Sequence, residues 1–341
     1  MGEHRHVIGA QIGHPPPGQT RRRVNFGEKR SWPASFADRA GGSVPPTREV
    51  LRMFRTGGFA QRDLSDAVRI PVKRTEELPP VTRDQTGVTW IGHATYLVRI
   101  GGLNVLTDPV WSPQIPGRIR RITPVGLPWT SLPRVDAVVI SHNHYDHLDG
   151  RTMRRLPRDT PVLVPARLGR WFRRRGFTRV AELDWWESAQ LDQVEFEFVP
   201  AHHWSRRTPF DTCRTLWGGW VISTPTTKIY FAGDTGYGHW FGEIGQRHPD
   251  IDLALMPVGA YEPSWFMRRA HLNPAEAVRA CGDLGAPRMA TMHWGTFVLS
   301  REPLLAPMRE AEAAWQAAER PREDLWTLAV GETRILPTRD A

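Results

Sequence analysis

The sequence has little cysteine and no long hydrophobic run, and both absences exclude classes of protein. Cys213 and Cys281 are the only two cysteines in 341 residues, so a disulfide framework is excluded and two reduced thiols are expected. The longest apolar runs, at 137–140 and 253–258, are far shorter than the roughly 20 residues of a membrane-spanning helix. We therefore expect no transmembrane helix and a cytoplasmic protein.

The N-terminal part of the chain also lacks the pattern of an export signal. Arg21, Arg22 and Arg23 are followed by a polar stretch and not by a hydrophobic segment, so no signal peptide is expected. Residues 1–87 carry 15 basic and nine acidic side chains, which is most of the net charge of +9. We interpret 1–85 as a basic, Pro/Gly/Arg-rich segment that wraps the rest or is partly disordered, and 86–341 as the main domain. Such a segment could bind an anionic lipid surface or nucleic acid. More commonly, a charged, Pro-rich segment of this kind is a solvated leader without a binding role.

From residue 88 the pattern changes to short β-branched and aromatic runs separated by turn residues. We predict strands at 88–91, 95–100, 104–107, 137–141, 161–164, 194–199, 217–223, 228–232, 252–256 and 289–293. Helices are predicted at 47–56, 149–156, 168–175, 237–246, 274–281 (with Asn273 as N-cap) and 303–319. This α+β order favours an αββα sandwich, two mixed β-sheets with outer helices, over a doubly wound parallel sheet.

The strongest chemical signal follows the predicted strand 137–141. Residues 141–149 read Ser-His-Asn-His-Tyr-Asp-His-Leu-Asp, with three histidines and two aspartates in nine residues. Packing does not require such a loop, whereas imidazole and carboxylate groups are the ligands that zinc and similar metals take. The sequence therefore predicts a metal site at the end of this strand.

One loop cannot complete two coordination spheres, and further candidate ligands follow three other predicted strands. His202 and His203 follow one strand, Asp234 lies in a Gly-flanked turn after another, and His293 follows a third. Each alone could be a turn residue or a core histidine. Their occurrence after separate strands favours a shared site.

At this point the sequence resembles the metallo-β-lactamase superfamily, and within it the N-acylphosphatidylethanolamine-hydrolysing phospholipase D family. The resemblance extends from about residue 85 to residue 300. It rests on the metal loop together with the motifs Trp-Ile-Gly-His-Ala-Thr at 90–95, Leu-Thr-Asp-Pro at 106–109, His-Trp at 203–204, Gly-Asp-Thr-Gly-Tyr at 233–237, Gly-Ala-Tyr-Glu-Pro at 259–263 and His-Trp-Gly-Thr-Phe at 293–297.

The resemblance implies a ligand set for two metal ions. It assigns the first ion to His142, His144 and His203, the second to Asp146, His147 and His293, and the bridging position to Asp234. His203 is chosen over His202 because the family's ligand stands directly before Trp. Asp146 is also counted as catalytic.

The resemblance implies roles for three residues that are not ligands. Asp108 would support the metal loop without binding metal, His271 would donate a proton to the leaving group, and Tyr145 would face the substrate. The alternative for Asp108 is a simple turn residue without a role at the metals. The alternative for His271 is a residue that only leads into the following helix.

Two close cations can generate a metal-bound hydroxide and neutralise a phosphate. The resemblance implies a dinuclear metal-dependent phosphodiesterase of phospholipase D type that acts on N-acylphosphatidylethanolamine-like lipids. An anionic phospholipid substrate and peripheral contact with a membrane are therefore expected. Zinc is the expected metal, with manganese or iron as alternatives. Another ester, lactone or nucleotide phosphodiester is the alternative substrate, nucleic acid is disfavoured, and the oligomeric state is open. The alternative of another class is a non-catalytic, metal-stabilised binder of membranes or nucleic acid.

Overall fold

The computed structural model describes residues 22–57 and 63–337. The strands in chain order are β1 Gly87–Gly92, β2 Thr95–Ile100, β3 Leu103–Thr107, β4 Gln114–Ile115, β5 Ile119–Arg120, β6 Ala137–Val139, β7 Val162–Pro165, β8 Val180–Leu183, β9 Glu187–Leu191, β10 Val194–Val199, β11 Gly219–Ser223, β12 Lys228–Phe231, β13 Leu253–Pro257, β14 Arg288–Met292, β15 Leu325–Trp326 and β16 Thr333–Ile335.

The helices alternate with these strands. They are α1 Thr47–Arg55, α2 Gly150–Met153, α3 Gly169–Arg173, α4 Trp240–Arg247, α5 Ser264–Met267, α6 Pro274–Asp283 and α7 Ala306–Ala317, with short 3₁₀ turns at Ala37–Arg39, Ser65–Arg69, Trp129–Ser131 and Arg322–Asp324. No helix among the described residues has the length and apolar character needed to cross a bilayer.

Two seven-stranded mixed sheets form the centre of the molecule. The first has the order β16-β1-β2-β3-β6-β7-β8 and the second the order β15-β14-β13-β12-β11-β10-β9, while β4 and β5 form a separate hairpin. In each sheet a run of antiparallel strands passes into parallel ones, at β3–β6 and at β12–β13. Because parallel strands end at the same edge of a sheet, the loops that follow them meet there.

The layer order follows from which side chains of a strand enter which core. In β6, Val139 packs into the large core between the sheets, whereas Val138 packs into a second core with Met153 of α2 and Phe172 of α3. Helices α4, α6 and α7 cover the second sheet, since α6 contacts β13 and β14 and both other helices. The predicted αββα sandwich is confirmed.

The N-terminal segment lies against the sandwich over part of its described length. Phe36 is fully buried, Arg23 bridges to Ser188 of β9, and Arg30 and Arg39 form ion pairs with Glu187 and Asp184. Residues 1–21 lie outside the described residues, and the division of the chain at residue 85 stays a prediction.

Most predicted elements are present with shifted ends, and several short ones were missed. Helix α6 begins after Asn273, whose side chain accepts a hydrogen bond from the Glu276 amide in a capping box. The missed elements are the strands β4, β5, β8, β9, β15 and β16 and the helix α5. These elements are five residues long or shorter, so they contain too few residues to show a hydrophobic period.

Candidate metal centre

The predicted metal ligands come from four separate loops at one end of the sandwich, and a fifth loop adds His93, which was not predicted. The metal loop, residues 141–149, follows β6, and its last residue, Asp149, caps α2 by accepting a hydrogen bond from the Arg151 amide. His203, Asp234 and His293 follow β10, β12 and β14, and His93 lies in the turn between β1 and β2. The sheet topology therefore places these side chains together.

Three imidazoles and one carboxylate form the first cluster. His142 Nε2 lies 2.8 Å from His144 Nδ1, which lies 3.3 Å from His203 Nε2. Asp234 Oδ2 lies 3.9 Å from Nε2 of both His142 and His203. The four donor atoms lie within 4.8 Å of one another, as a single metal ion requires.

The second cluster lies on the other side of Asp234. Asp146 Oδ2 is 3.5 Å from Nε2 of His147 and 3.5 Å from Nε2 of His293. Asp234 Oδ2 is 3.1 Å from His147 Nε2, while its Oδ1 is 3.1 Å from His293 Nε2. The Asp234 carboxylate therefore lies between the two clusters and contributes to both.

Hydrogen bonds to the outer ring nitrogens orient three of the imidazoles. His147 Nδ1 lies 2.7 Å from Asp108 Oδ2, and His203 Nδ1 lies 2.9 Å from the Ala270 carbonyl. His142 Nδ1 contacts the Ser141 hydroxyl at 2.9 Å, and that hydroxyl also bonds to Asp108. This arrangement directs each Nε2 lone pair inward, as is usual for metal-ligating histidines.

The backbone at the site is strained at three of these residues. His93, Asp108 and His293 have φ values of 55°, 34° and 63°, in the left-handed region that side chains disfavour. Each of these backbone conformations costs on the order of 1–3 kcal/mol, so the packing of the surrounding residues must stabilise it. Gly233 also has a positive φ, and a Cβ on it would lie 2.5 Å from Ser141, so only glycine allows Asp234 to approach the metal loop.

Burial and mutual charge set the protonation of the clusters. Burial lowers the pKa of His144 to about 4 and the pKa values of His142 and His203 well below their usual value. Burial also acts on His293, but Asp234 and Asp146 outweigh it and raise its pKa to about 9. Burial likewise acts to lower the pKa of His147, but Asp234 and Asp146 outweigh it and raise that pKa well above its usual value. The first cluster is therefore neutral imidazole, and the second holds protons beside its carboxylates.

These features fit divalent metal ions. Nε2 of His147 and of His293 and Oδ1 of Asp234 are buried, and within the described ranges they meet no partner in hydrogen-bond geometry. Tetrahedral zinc with nitrogen ligands at 2.0–2.1 Å separates those ligands by about 3.3 Å, close to the spacings seen here. A cation would also supply the positive charge that the second cluster now takes from protons.

The structure separates His202 from His203. His203 is fully buried in the first cluster, whereas the His202 ring packs 5.3 Å from the His239 ring and 6.1 Å from the Trp240 ring. His271 also reaches the site, because its Nδ1 lies 4.0 Å from Asp234 Oδ2 and its ring lies 5.3 Å from the His203 ring.

Tyr145 is the exposed residue of the metal loop. Its hydroxyl donates to the Arg207 carbonyl at 2.8 Å, and the Arg207 guanidinium stacks over its ring at 4.1 Å. Arg207 Nη1 in turn donates to the carbonyls of Asn143 and Leu148 at 2.7 and 2.8 Å. Arg207 therefore connects two points of the loop, a role that the sequence analysis missed.

His93 is a further site residue that the sequence analysis missed. It groups with Asp146, His147 and His293, and its Nε2 lies 3.0 Å from Asp146 Oδ2. Burial lowers its pKa to about 3, so the ring is neutral. Its position in the Gly-His-Ala turn, itself one of the family-like motifs, was the available signal.

A family model described as the beta-lactamase superfamily domain matches residues 103–294, more than half of the chain. The chain belongs to the β-lactamase superfamily. Its fold, with clustered histidines and aspartates able to bind metal, is that of the metal-dependent hydrolases of this superfamily.

Relatives within the superfamily cover much of the chain. An uncharacterized protein of Mycobacterium tuberculosis strain H37Rv is 43% identical over 67% of the chain and 63% of its own length. The chain therefore spans less than two thirds of that relative. The Caenorhabditis elegans protein named N-acyl-phosphatidylethanolamine-hydrolyzing phospholipase D 1 is 35% identical over 70% of each protein.

Among solved structures of this fold, Igni18, a metallo hydrolase from Ignicoccus hospitalis, matches 75% of the chain and all of its own chain. The TM-score is 0.54 at 19% identity. At that identity the match supports the fold, and it agrees with the superfamily assignment.

Proposed function

We propose that this hydrolase is a dinuclear phosphodiesterase of phospholipase D type that acts on N-acylphosphatidylethanolamine-like lipids. The observation that carries the dinuclear part is the position of Asp234, whose carboxylate lies 3.9 Å from His142 and His203 of the first cluster and 3.1 Å from His147 and His293 of the second. The first ion would be held by His142, His144 and His203, the second by Asp146, His147 and His293, and both by Asp234. Zinc is the proposed metal.

Bound divalent ions would lower the pKa of water and offset the negative charge of a phosphodiester. The protein's own contribution is the fixed orientation of the ligands. Asp108 and the Ala270 carbonyl hold His147 and His203 in single tautomers, so no reorganisation is needed during turnover.

His271 is the proposed proton donor to the leaving alkoxide. Its side chain is 16% exposed, so it borders both Asp234 and the solvent side of the site. Burial lowers the pKa of His271, so the neutral ring is the resting form. The ring must therefore accept a proton before it delivers one, and general acid catalysis of this kind typically contributes about 10²–10⁴-fold.

The lipid substrate is supported by the family-like motifs and by the relative from C. elegans, whose name states that activity. It is also supported by α5, which places Trp265 and Phe266 six and five residues before His271. Both aromatic rings are partly exposed, and their edge-to-face contact at 5.6 Å leaves apolar surface suited to acyl chains.

The test combines elemental metal analysis of the purified chain with two hydrolysis assays. N-acylphosphatidylethanolamine vesicles and water-soluble bis(p-nitrophenyl) phosphate are offered in parallel, with Asp234→Asn as the inactive control. Two ions per chain and vesicle cleavage are expected. Two ions with turnover of the soluble diester alone would refute the lipid substrate, and less than one ion with neither activity would refute the dinuclear enzyme and favour a non-catalytic binder.

A further inference from the structure

Positive charge is concentrated in one stretch of the chain that the proposed chemistry does not use. Residues 150–179 contain ten arginines and one aspartate, with no lysine or glutamate. This stretch alone carries a charge equal to the +9 of the whole chain, although it includes under a tenth of the residues. The N-terminal segment, with 15 basic and nine acidic side chains in residues 1–87, is therefore not the only source of the basic surplus.

Helices α2 and α3, with the turns beside them, carry these arginines on the outer layer of the first sheet. Helix α3 buries Gly169 and Phe172 and leaves Arg170 exposed, and its C-cap residue Arg174, one turn further on, is also exposed. The exposed members, which we name the arginine face, are Arg151, Arg154, Arg155, Arg170, Arg174, Arg175 and Arg179. None of them forms an ion pair within residues 22–57 and 63–337; Arg173, which pairs with Glu182, is only partly exposed.

The arginine face adjoins the metal centre. Helix α2 starts directly after the metal loop, and Arg175 stacks over Trp171 at 3.6 Å. Arg207, which holds the metal loop, lies 5.9 Å from the same ring. Burial lowers the pKa of Arg207, and the charge of Arg175 lowers it further, so the two cations are close.

An exposed aromatic side chain lies three residues after Arg207, whose guanidinium is 5.9 Å from the Trp171 ring of α3. Phe210 is 83% exposed in a turn where Asp211 accepts the amides of Arg207 and Thr208. Tyr145, 36% exposed, is covered by the Arg207 guanidinium at 4.1 Å. A large apolar side chain that projects from a basic surface is typical of proteins that bind a lipid interface.

We propose that the arginine face, with Phe210 as its apolar anchor, docks the protein on an anionic phospholipid bilayer with the metal centre beside the membrane. This inference rests on the proposed lipid substrate, to which it adds the surface that contacts the bilayer. Each arginine near an anionic membrane strengthens binding by about fivefold.

A bilayer explains the surface better than nucleic acid does. Proteins that bind single strands offer open aromatic faces on which bases stack. Here Trp171 is already covered by Arg175, and Trp129 by Arg155 at 4.2 Å. Phe210, the most exposed aromatic ring among the described residues, projects from the turn at 206–211.

The experiment measures co-sedimentation of the full chain with vesicles, without turnover. Vesicles of phosphatidylcholine mixed with phosphatidylglycerol are compared with pure phosphatidylcholine across a salt series. The test variant is Arg170→Gln/Arg174→Gln, and the matched control is Arg279→Gln/Arg309→Gln, exposed arginines of α6 and α7 on the opposite outer layer. Phe210→Ser is compared with Ile335→Ser, which lies on β16, at the opposite edge of the first sheet from β8.

We expect salt-sensitive binding to the anionic vesicles only, weakened about 25-fold in the α3 variant and little changed in the control. Phe210→Ser should weaken binding, and Ile335→Ser should not. Equal losses in the α3 and control variants, or no binding by the wild type, would overturn the proposal. So would tighter binding of a DNA oligonucleotide than of the vesicles.

Two measurements keep the outcomes distinct. Unchanged melting temperature and unchanged cleavage of bis(p-nitrophenyl) phosphate show that the α3 variant is folded and that its loss concerns docking. If the wild type binds anionic vesicles but cleaves no diester, the proposed function fails while the docking surface stands.

Discussion

His93 Nε2 lies 3.0 Å from Asp146 Oδ2, so a histidine from the first β-turn of the domain contacts a carboxylate of the metal loop. The backbone of His93 is fixed on both sides: its amide donates to Thr296 Oγ1 at 2.7 Å, and its carbonyl accepts from Trp90 Nε1 at 2.9 Å. Its ring packs 4.1 Å from the His293 ring. Because Asp146 lies beside His147 and His293, His93 controls the position of a second-cluster ligand.

Replacing His93 should therefore weaken metal retention in the second cluster. We expect His93→Ala to lower the affinity of the second cluster for zinc by about 10–100-fold, which is the usual effect of removing a group that orients a ligand. The measurement is zinc stoichiometry during titration with a chelator. His93→Gln, whose amide can still donate to Asp146, should retain most of the affinity; equal losses in both variants would indicate a packing role only.

The adjacent histidines at 202 and 203 provide a matched pair. His203→Ala should remove one ion and reduce diester hydrolysis by at least about a hundredfold, because the first cluster loses a ligand. His202→Ala should leave metal content unchanged, since its ring packs against His239 and Trp240. Elemental analysis of both variants decides the matter, and loss of metal from His202→Ala alone would reverse the assignment.

His271→Ala should lower kcat by about 10²–10⁴-fold with metal content unchanged, because the variant removes a proton donor and not a ligand. The pH dependence of kcat distinguishes this role from a structural one: one limb of the wild-type profile should disappear. If the variant loses zinc, His271 is a metal ligand. The 4.0 Å distance between His271 Nδ1 and Asp234 Oδ2 is compatible with both groups binding the same ion.

Zinc binding near neutral pH should release protons. The pKa of His293 is raised to about 9 and that of His147 is raised above its usual value, so both rings are protonated at pH 7 without metal. A ligand nitrogen must give up its proton, so zinc affinity should rise as the pH increases from neutral through about 9, the pKa of His293. Calorimetry in buffers of different ionisation enthalpy should detect about one to two protons per chain; zero would contradict these pKa shifts.

The fold class and most of the candidate site could be predicted from the sequence. The histidines and aspartates of the metal loop are contiguous, and His203, Asp234 and His293 each follow a strand with a recognisable apolar pattern. Loops that follow neighbouring parallel strands meet at one edge of a sheet, so local patterns imply a shared location. Short strands such as β15 and β16 escaped prediction because pairing across the sheet, and not local sequence, stabilises them.

The sequence by itself determined the ligand types, the order of the loops and the excess of arginine in one stretch, because these are properties of composition and spacing. The motif resemblance chose His203 over His202, but only the tertiary structure showed that the His202 ring packs against His239 and Trp240, since neighbouring side chains leave the backbone in different directions. Only the structure brought His93 to Asp146, a contact between residues 53 positions apart. It also brought Arg207, three residues before Phe210, to 5.9 Å from the Trp171 ring of α3, a long-range contact that no local pattern encodes.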